Sequence, residues 1–252
     1  MKIVEFGKQN TNTVMLLHGG GLNWWNYRDA AEILAEDFHV LIPVLDGHAG
    51  SGVPFSTMED NAARLIRYID ETFGGQVTII GGLSLGGQIA VEMLSQRPDI
   101  CKFALIESTL VKPMKLTHAL IGPSVAMSYG LVKQRWFARW QASYLRIPRN
   151  LFEDYYRDTC KISKADLTAF LKANSSYTIK PSLTQTCAKV RIVAGAREQK
   201  GILESAKRLR EIIPHSQLEI LPGLYHGDLS INQPQRYAGM LKSWMEEENE
   251  DI

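Results

Sequence analysis

Short runs of apolar, mostly β-branched residues alternate along this chain with stretches of helical periodicity. Near-continuous apolar runs of this kind are typical of strands that are covered on both faces, as in a parallel sheet. The predicted strands are 14–17, 39–45, 77–81, 102–107, 190–194 and 217–221, with 2–6 as a further edge strand. The predicted helices are 27–36, 58–73, 85–96, 202–213 and 234–247. This alternation predicts an α/β fold with a doubly wound, mostly parallel sheet, which binds ligands at the carboxyl ends of its strands.

One interval breaks the alternation. About eighty residues, 109–189, separate two predicted core strands where a single helix would be enough. The interval is rich in large apolar side chains, and Val132, Trp136, Trp140 and Tyr144 recur at every fourth position, which places them on one helical stripe. We therefore expect an inserted helical cap at 109–189, and a core domain formed by 1–108 and 190–252.

A candidate nucleophile lies in the segment Gly82-Leu83-Ser84-Leu85-Gly86. The pattern G-x-S-x-G has little specificity alone, but here it stands between a predicted strand and a predicted helix. A sharp turn at this place forces unusual backbone dihedrals on the serine, and only small residues two positions before and after it relieve the crowding. The sequence therefore predicts Ser84 as an exposed nucleophile, against the alternative that it serves only as a helix N-cap.

A glycine-rich loop, His18-Gly19-Gly20-Gly21, follows the first strong strand. Three glycines let the backbone turn and present its N–H groups without side chains in the way. We expect the N–H of Gly20 and that of Leu85, at the start of the helix after Ser84, to form an oxyanion hole. His18 is expected to brace the loop, because it stands at the strand end facing it.

The base is predicted to be His226, in the loop Pro222-Gly223-Leu224-Tyr225-His226-Gly227 after the last strand. A histidine late in the chain fits the order nucleophile, acid, base. The third member should orient this imidazole. Glu198, just past the strand 190–194, is the preferred acid, and Glu107, at the end of the strand 102–107, is the alternative.

Composition favours a small-molecule partner. The chain carries 28 Lys and Arg against 27 Asp and Glu, a formal net charge of +1, which gives no general attraction to nucleic acid. Its three cysteines, Cys101, Cys160 and Cys187, form no disulfide or metal-binding pattern, and thiols used this sparingly suit a reducing compartment. The N-terminus does not match a signal peptide and no run is long and apolar enough to span a membrane, so we expect a cytoplasmic protein.

Together these segments resemble the α/β-hydrolase superfamily. The ordered set H-G-G-G, G-L-S-L-G, G-A-R-E and Y-H-G looks like the pattern of bacterial serine hydrolases with a helical cap domain, as do Trp24-Trp25 and the segment 46–51 (DGHAGS). The resemblance implies a triad of Ser84, Glu198 and His226, with Gly20 and Leu85 as oxyanion donors. Two departures stand out: glutamate replaces the commoner aspartate at the acid position, and the loop reads G-H-A-G instead of G-H-G.

The function hypothesis is hydrolysis of a small acyl ester through an acyl-enzyme, which needs no metal or organic cofactor. A C–C bond hydrolase or lyase with the same triad, and a ligand-binding protein on a hydrolase scaffold, are the alternatives. The expected substrate-binding residues are Gly21, Trp24, Trp136 and Trp140. Basic residues near the start of the cap are expected to lie on a solvated helix face, with a carboxylate-bearing substrate or a membrane surface as alternatives: Lys133, Arg135, Arg139, Arg146 and Arg149.

Overall fold

A seven-stranded sheet forms the centre of the computed structural model, in which the backbone is described for residues 1–250 and the side chains for residues 1–244. The strands are β1 (Ile3–Phe6), β2 (Thr13–Leu17), β3 (His39–Pro43), β4 (Val77–Leu83), β5 (Cys101–Glu107), β6 (Lys189–Gly195) and β7 (Ser216–Leu221). Their order in the sheet is β1-β3-β2-β4-β5-β6-β7. Only β1 is antiparallel to its neighbour among these strands. The predicted α/β fold with a mostly parallel sheet is confirmed.

Helices cover both faces of the sheet. The helices outside the long interval are α1 (Arg28–Leu34), α2 (Met58–Phe73), α3 (Leu85–Gln96), α8 (Lys200–Ile212), α9 (Asp228–Asn232) and α10 (Pro234–Glu250). Side chains of β2 alternate between two buried clusters: Met15 and Leu17 join the cluster under α2, α3 and α8, while Val14 and Leu16 join the one under α1 and α10. Burial on both faces explains why β2 is apolar at every position from Val14 to Leu17.

Residues 109–189, called here the helical insertion, run from the end of β5 to the first residue of β6. The insertion contains α4 (Lys115–Val132), α5 (Arg135–Tyr144), α6 (Phe152–Thr159) and α7 (Lys164–Ser176), with short 3-10 turns at Arg149–Leu151 and Pro181–Gln185. The insertion is tied to the core by side-chain amides: Gln88 on α3 donates to the carbonyl oxygens of Leu110 and Asn174. None of the helices in the described part of the chain is long and apolar enough to cross a membrane.

The sheet register brings the loops of interest to one edge. Leu17 of β2 pairs with Gly82 of β4, and Leu83 of β4 pairs with Glu107 of β5. Gly195 of β6 pairs with Leu221 of β7 in the same way. The carboxyl ends of these strands are therefore level. The loops after β2 and β4 meet at the topological switch point of the sheet, because the connection from β2 to β3 and the connection from β4 to β5 run to opposite sides.

A substitution in the turn from β4 into α3 can test how tightly the chain is packed at this edge of the sheet. A Cβ atom on Gly86 would stand 2.0 Å from the carbonyl oxygen of Leu17, so Gly86→Ala must displace backbone. We expect this substitution to destabilise the protein by more than about 2 kcal/mol and to lower Tm by at least about 5 °C.

Gly239→Ala is the matched control, because a Cβ at this exposed position of α10 would meet nothing within 4 Å. It should stabilise the protein by up to about 1 kcal/mol, as alanine does in a helix interior. Calorimetry on both variants measures the difference. Equal melting temperatures for the two would contradict the close approach at Gly86.

Candidate active site

The nucleophile candidate stands in a strained turn. Ser84 has φ 54° and ψ −110°, a backbone conformation that L-residues rarely adopt. A Cβ on Gly82 would lie 2.5 Å from the carbonyl oxygen of Gly86, so the turn needs small residues on both sides of the serine. Ser84 occupies the N-cap position of α3, but its side chain makes no capping hydrogen bond. Its hydroxyl is therefore not used to cap the helix.

In the glycine loop after β2, two backbone N–H groups are bonded to described residues of the protein and the one between them is not. The N–H of Gly19 donates to Asn26 Oδ1 at 3.3 Å, and the N–H of Gly21 donates to His48 Nε2 at 3.0 Å. Among the described residues, the N–H of Gly20 has no protein acceptor. Gly20 also lies against Leu85, since a Cβ on it would be 3.5 Å from the Leu85 Cβ. The two predicted oxyanion donors are therefore neighbours.

Two buried histidines hold this loop. His18 donates from Nδ1 to the carbonyl oxygen of Gly19, and its Nε2 accepts from the N–H of Leu45. His48 donates from Nδ1 to the carbonyl oxygen of Asp46, which leaves Nε2 as the acceptor for Gly21. Burial lowers the pKa of His48 to about 4 and also lowers the pKa of His18 well below its ordinary value. Both rings are therefore neutral at pH 7, as their acceptor roles require.

The base and acid candidates are joined directly. His226 Nδ1 lies 2.8 Å from Glu198 Oε2, and the Glu198 side chain is fully buried while that of His226 is 44% exposed. The other carboxylate oxygen, Oε1, accepts from the N–H of Gly195 and from the hydroxyl of Ser108. A carboxylate held at both oxygens fixes the ring that it contacts, with Nδ1 protonated and Nε2 free to act.

The loop that carries His226 packs against the nucleophile turn. A Cβ on Gly227 would lie 3.3 Å from the Leu83 side chain, and Leu83 immediately precedes Ser84. On the other side, a Cβ on Gly195 would stand 2.3 Å from the carbonyl oxygen of Leu224. The His226 loop is therefore packed between the ends of β4 and β6.

Ser108 is a site residue that the sequence analysis missed. It has φ 53°, and its hydroxyl donates to Glu198 Oε1 at 2.7 Å and accepts from the N–H of Gly227 at 3.3 Å. One hydroxyl thus connects the candidate acid with the loop of the candidate base. The available signal was position: Ser108 follows β5 at the sheet edge where ligands bind.

Glu107, the alternative acid, contacts a different partner. Its Oε1 accepts from the N–H of Ser230 at 3.2 Å, and it is buried beneath the site. Burial, assisted by the negative charge of Glu198, raises the pKa of Glu107 to about 7, against the opposing influence of Ser230 and His226. The carboxylate that touches His226 is that of Glu198.

The four predicted substrate-binding residues are spread over the surface. The N–H of Gly21 is bound to His48, and Trp24 is half-buried at a cavity of about 300 Å³ that Lys2, Arg157 and Lys161 also line. Trp136 and Trp140 are exposed on α5, where their ring contacts are with Phe137 and Tyr144. No described contact links either indole to the residues around Ser84.

The helical insertion reaches the glycine loop through another aromatic residue. Phe170 on α7 stacks on the ring of His48 with centroids 4.7 Å apart, and its Cε2 would be 3.7 Å from a Cβ on Gly20. Both residues escaped the sequence analysis as site residues, although His48 lies in the DGHAGS segment. Phe170 gave no signal, because an aromatic side chain on an amphipathic helix is usually core.

Comparison with known proteins identifies the family of the chain. Residues 14–240 match the family described as "Alpha/beta hydrolase family". The chain belongs to this family.

Individual relatives are distant. An "AB hydrolase superfamily protein" of Gibberella zeae is 30% identical over 132 residues, which are 50% of this chain and 45% of the fungal protein. The chain thus matches less than half the length of that curated relative. An esterase from Exiguobacterium antarcticum superposes with a TM-score of 0.82 at 16% identity, covering 97% of this chain and 94% of the esterase. An enol-lactonase from Burkholderia xenovorans LB400 gives 0.81 at 14%, covering 97% and 95%. The two structures share the α/β-hydrolase fold.

Glu107 makes the stability of this protein depend on pH. Its pKa is about 7 in the folded protein and near 4.5 when unfolded, so the folded state binds the extra proton between these values and loses stability as pH rises through them. The side chain of the Glu107→Gln variant cannot ionise, so this variant avoids that loss. The unfolding free energy of the variant minus that of the wild type should therefore increase by about 3 kcal/mol between pH 5 and pH 8.

Urea denaturation at a series of pH values measures this difference. Glu71→Gln, at an exposed position of α2, controls for loss of a negative charge. A Glu107→Gln advantage that is the same at every pH would contradict a titrating buried carboxyl.

Ser108 should affect enzymatic activity by holding the candidate acid, Glu198, in place. We expect Ser108→Ala and Ser108→Gly to lower kcat about tenfold, because a hydrogen bond to a charged carboxylate contributes about 1.5–3 kcal/mol. KM should change little, since the hydroxyl is bonded to Glu198 and Gly227. Glycine tolerates the positive φ, so Ser108→Gly should melt higher than Ser108→Ala while being equally impaired. Full activity in either variant would rule out this positioning role.

Proposed function

We propose that this protein is a serine hydrolase that cleaves small acyl esters, with Ser84, His226 and Glu198 as its catalytic triad. The observation that carries the proposal is the hydrogen bond between His226 and the buried carboxylate of Glu198. His226 lies on a loop that packs against Leu83, the residue before Ser84. The family contains hydrolases, and the structural neighbours described as an esterase and an enol-lactonase add support for an ester substrate.

In the proposed first step, Ser84 Oγ attacks the ester carbonyl carbon while its proton passes to His226 Nε2. The imidazolium that forms is stabilised by Glu198, which keeps its own charge. The oxyanion accepts hydrogen bonds from the N–H groups of Gly20 and Leu85, the latter unbonded because it starts α3. Collapse breaks the ester C–O bond, and His226 returns its proton to the leaving alcohol.

In the second step, water attacks the acyl-enzyme. His226 Nε2 accepts one proton of the water as its oxygen bonds to the acyl carbon, and the same two N–H groups hold the oxyanion. Breakage of the bond to Ser84 Oγ releases the carboxylic acid, and the proton on His226 restores the serine hydroxyl. No metal or organic cofactor takes part in the proposed steps.

The helical insertion is proposed to act as a cap over this site. Phe170 stands beside Gly20, and its apolar ring offers a contact for the acyl group of the substrate. Because Phe170 also stacks on His48, which holds Gly21, the same residue connects the acyl pocket to the oxyanion loop. This contact favours a small apolar acyl group.

The test is reaction with a fluorophosphonate probe together with turnover of p-nitrophenyl esters of increasing acyl length. Ser84→Ala should lose at least about ten-thousand-fold in kcat/KM, and His226→Ala a comparable amount, because triad members act as a unit. Both should also lose labelling. Native labelling of Ser84→Ala would refute the nucleophile, and a folded wild type that neither labels nor turns over would favour a binding protein.

The acid is tested by a matched pair of glutamines. Glu198→Gln should lower kcat about a hundredfold or more, since it removes the charge that stabilises the imidazolium. Glu107→Gln should stay within about threefold of the wild type, because Glu107 makes no hydrogen bond to His226. The reverse ranking would move the acid to Glu107.

A further inference from the structure

The outer surface of the helical insertion carries an unusual concentration of exposed apolar side chains. Eleven large apolar residues are exposed in the described part of the chain, and nine of them fall within residues 114–145. Met127 is 85% exposed, Leu116 is 74% exposed and Trp136 is 64% exposed. Single exposed apolar residues are normal, whereas a group of this size marks an interaction surface.

Helical spacing puts these side chains on the outward sides of two consecutive helices. On α4 the residues recur at intervals of four, seven and four positions, opposite the buried Ile121 and Val125. On α5 they recur at every fourth position, opposite the buried Ala138 and Ala142. The apolar face, as we call it, consists of Leu116, Leu120, Met127, Leu131, Trp136, Trp140 and Tyr144.

Charge is divided unequally between the insertion and the core. Residues 109–189 contain thirteen Lys and Arg against four Asp and Glu, a formal charge of +9. Since the whole chain carries +1, the remaining residues together carry −8. The near-neutral total conceals this separation.

Several of the cations border the apolar face. Lys115 begins α4, Lys133 follows its end, and Arg139 lies on α5 among the tryptophans. These three side chains are exposed and form no ion pair with any residue whose side chain the structure describes. Lys133 and Arg139 instead lie over the rings of Tyr129 and Phe152. Positive charge is thus available beside the apolar side chains.

The combination of exposed apolar side chains and positive charge favours one kind of binding partner over others. A second copy docked face to face would bring two insertions of +9 together. Nucleic acid would satisfy the cations, but not exposed aliphatic side chains such as Leu116 and Met127. A membrane surface with anionic headgroups satisfies both, because tryptophan and tyrosine lie at the headgroup level, leucine and methionine enter the acyl boundary, and lysine and arginine contact phosphate.

We propose that the apolar face docks this protein on the surface of membranes that contain anionic phospholipid. The two helices would lie along the interface, with the indoles of Trp136 and Trp140 inserted beside the headgroups. Docking does not depend on the proposed ester hydrolysis, since the apolar face is separate from Ser84 and His226. It would bring the site close to esters that partition into the bilayer.

The test is cosedimentation of the full chain with large unilamellar vesicles. Vesicles of phosphatidylcholine with about 30% phosphatidylglycerol are compared with pure phosphatidylcholine, at about 0.1 M and about 0.5 M NaCl. We expect binding to the anionic vesicles that weakens about tenfold at the higher salt concentration, and at least about tenfold weaker binding to pure phosphatidylcholine. A blue shift of tryptophan fluorescence should accompany binding.

Matched variants separate the two contributions. Trp136→Ala with Trp140→Ala should weaken binding at least about tenfold, whereas Ile220→Ser, at an exposed apolar position on β7, should leave it unchanged. Lys115→Glu with Lys133→Glu should weaken vesicle binding more than Lys207→Glu, which lies at an exposed position of α8 outside the insertion. Circular dichroism melts establish that each variant is folded, and Leu116→Ser with Met127→Ser replaces the tryptophan pair if that pair does not fold.

Several results would overturn the proposal. These are an absence of binding to either vesicle at low salt, equal losses in the face and control variants, lipid-independent dimers abolished by the same substitutions, and tighter binding to a DNA duplex than to vesicles. Ser84→Ala keeps this outcome distinct from the proposed hydrolysis, because it should bind vesicles like the wild type while losing ester turnover. Loss of vesicle binding with normal turnover refutes only the docking surface.

Discussion

Contact between backbone atoms at the start of α3 sets the geometry on which the site depends. Gly86 approaches the carbonyl oxygens of Leu17 and His18 so closely that even a methyl group has no room. This approach fixes the end of β2 against the turn after β4, and it places the glycine loop beside Leu85. The proposed oxyanion donors, the strained serine and the sheet edge are therefore positioned by main-chain contacts, which side-chain motion does not disturb.

A second group of contacts centres on Glu198. Its two oxygens bind three groups from three segments: the ring of His226, the hydroxyl of Ser108 and the N–H of Gly195. The carboxylate is buried, so its charge is compensated by these donors. Glu107 accepts a hydrogen bond from the N–H of Ser230 instead, and burial raises its pKa. The two glutamates thus have different hydrogen-bond partners, and the one that contacts His226 is Glu198.

Local pattern was enough to predict the strands, most helix limits and the placement of Ser84, Glu198 and His226 on edge loops. Apolar runs and G-x-S-x-G report features that lie within a few residues of one another. Ser108, His48 and Phe170 could not be found in this way, because each matters through a partner far along the chain. The single helical stripe predicted from Val132 to Tyr144 was wrong, because α4 ends at the buried Val132 and α5 begins at Arg135. For Trp136 and Trp140, periodicity could not tell the inner side of an amphipathic helix from the outer one.

The stacking of Phe170 on His48 has a consequence for how this scaffold diversifies. Exchange of the insertion for an unrelated helical segment would alter more than the shape of the pocket, because the aromatic support of the imidazole that holds Gly21 would be removed with it. A graft that keeps an aromatic ring at this point on α7 preserves that support. The insertion can therefore be exchanged as a unit only if the new segment supplies an aromatic ring at this position. Recombinants that lack the ring would lose the support of the glycine loop.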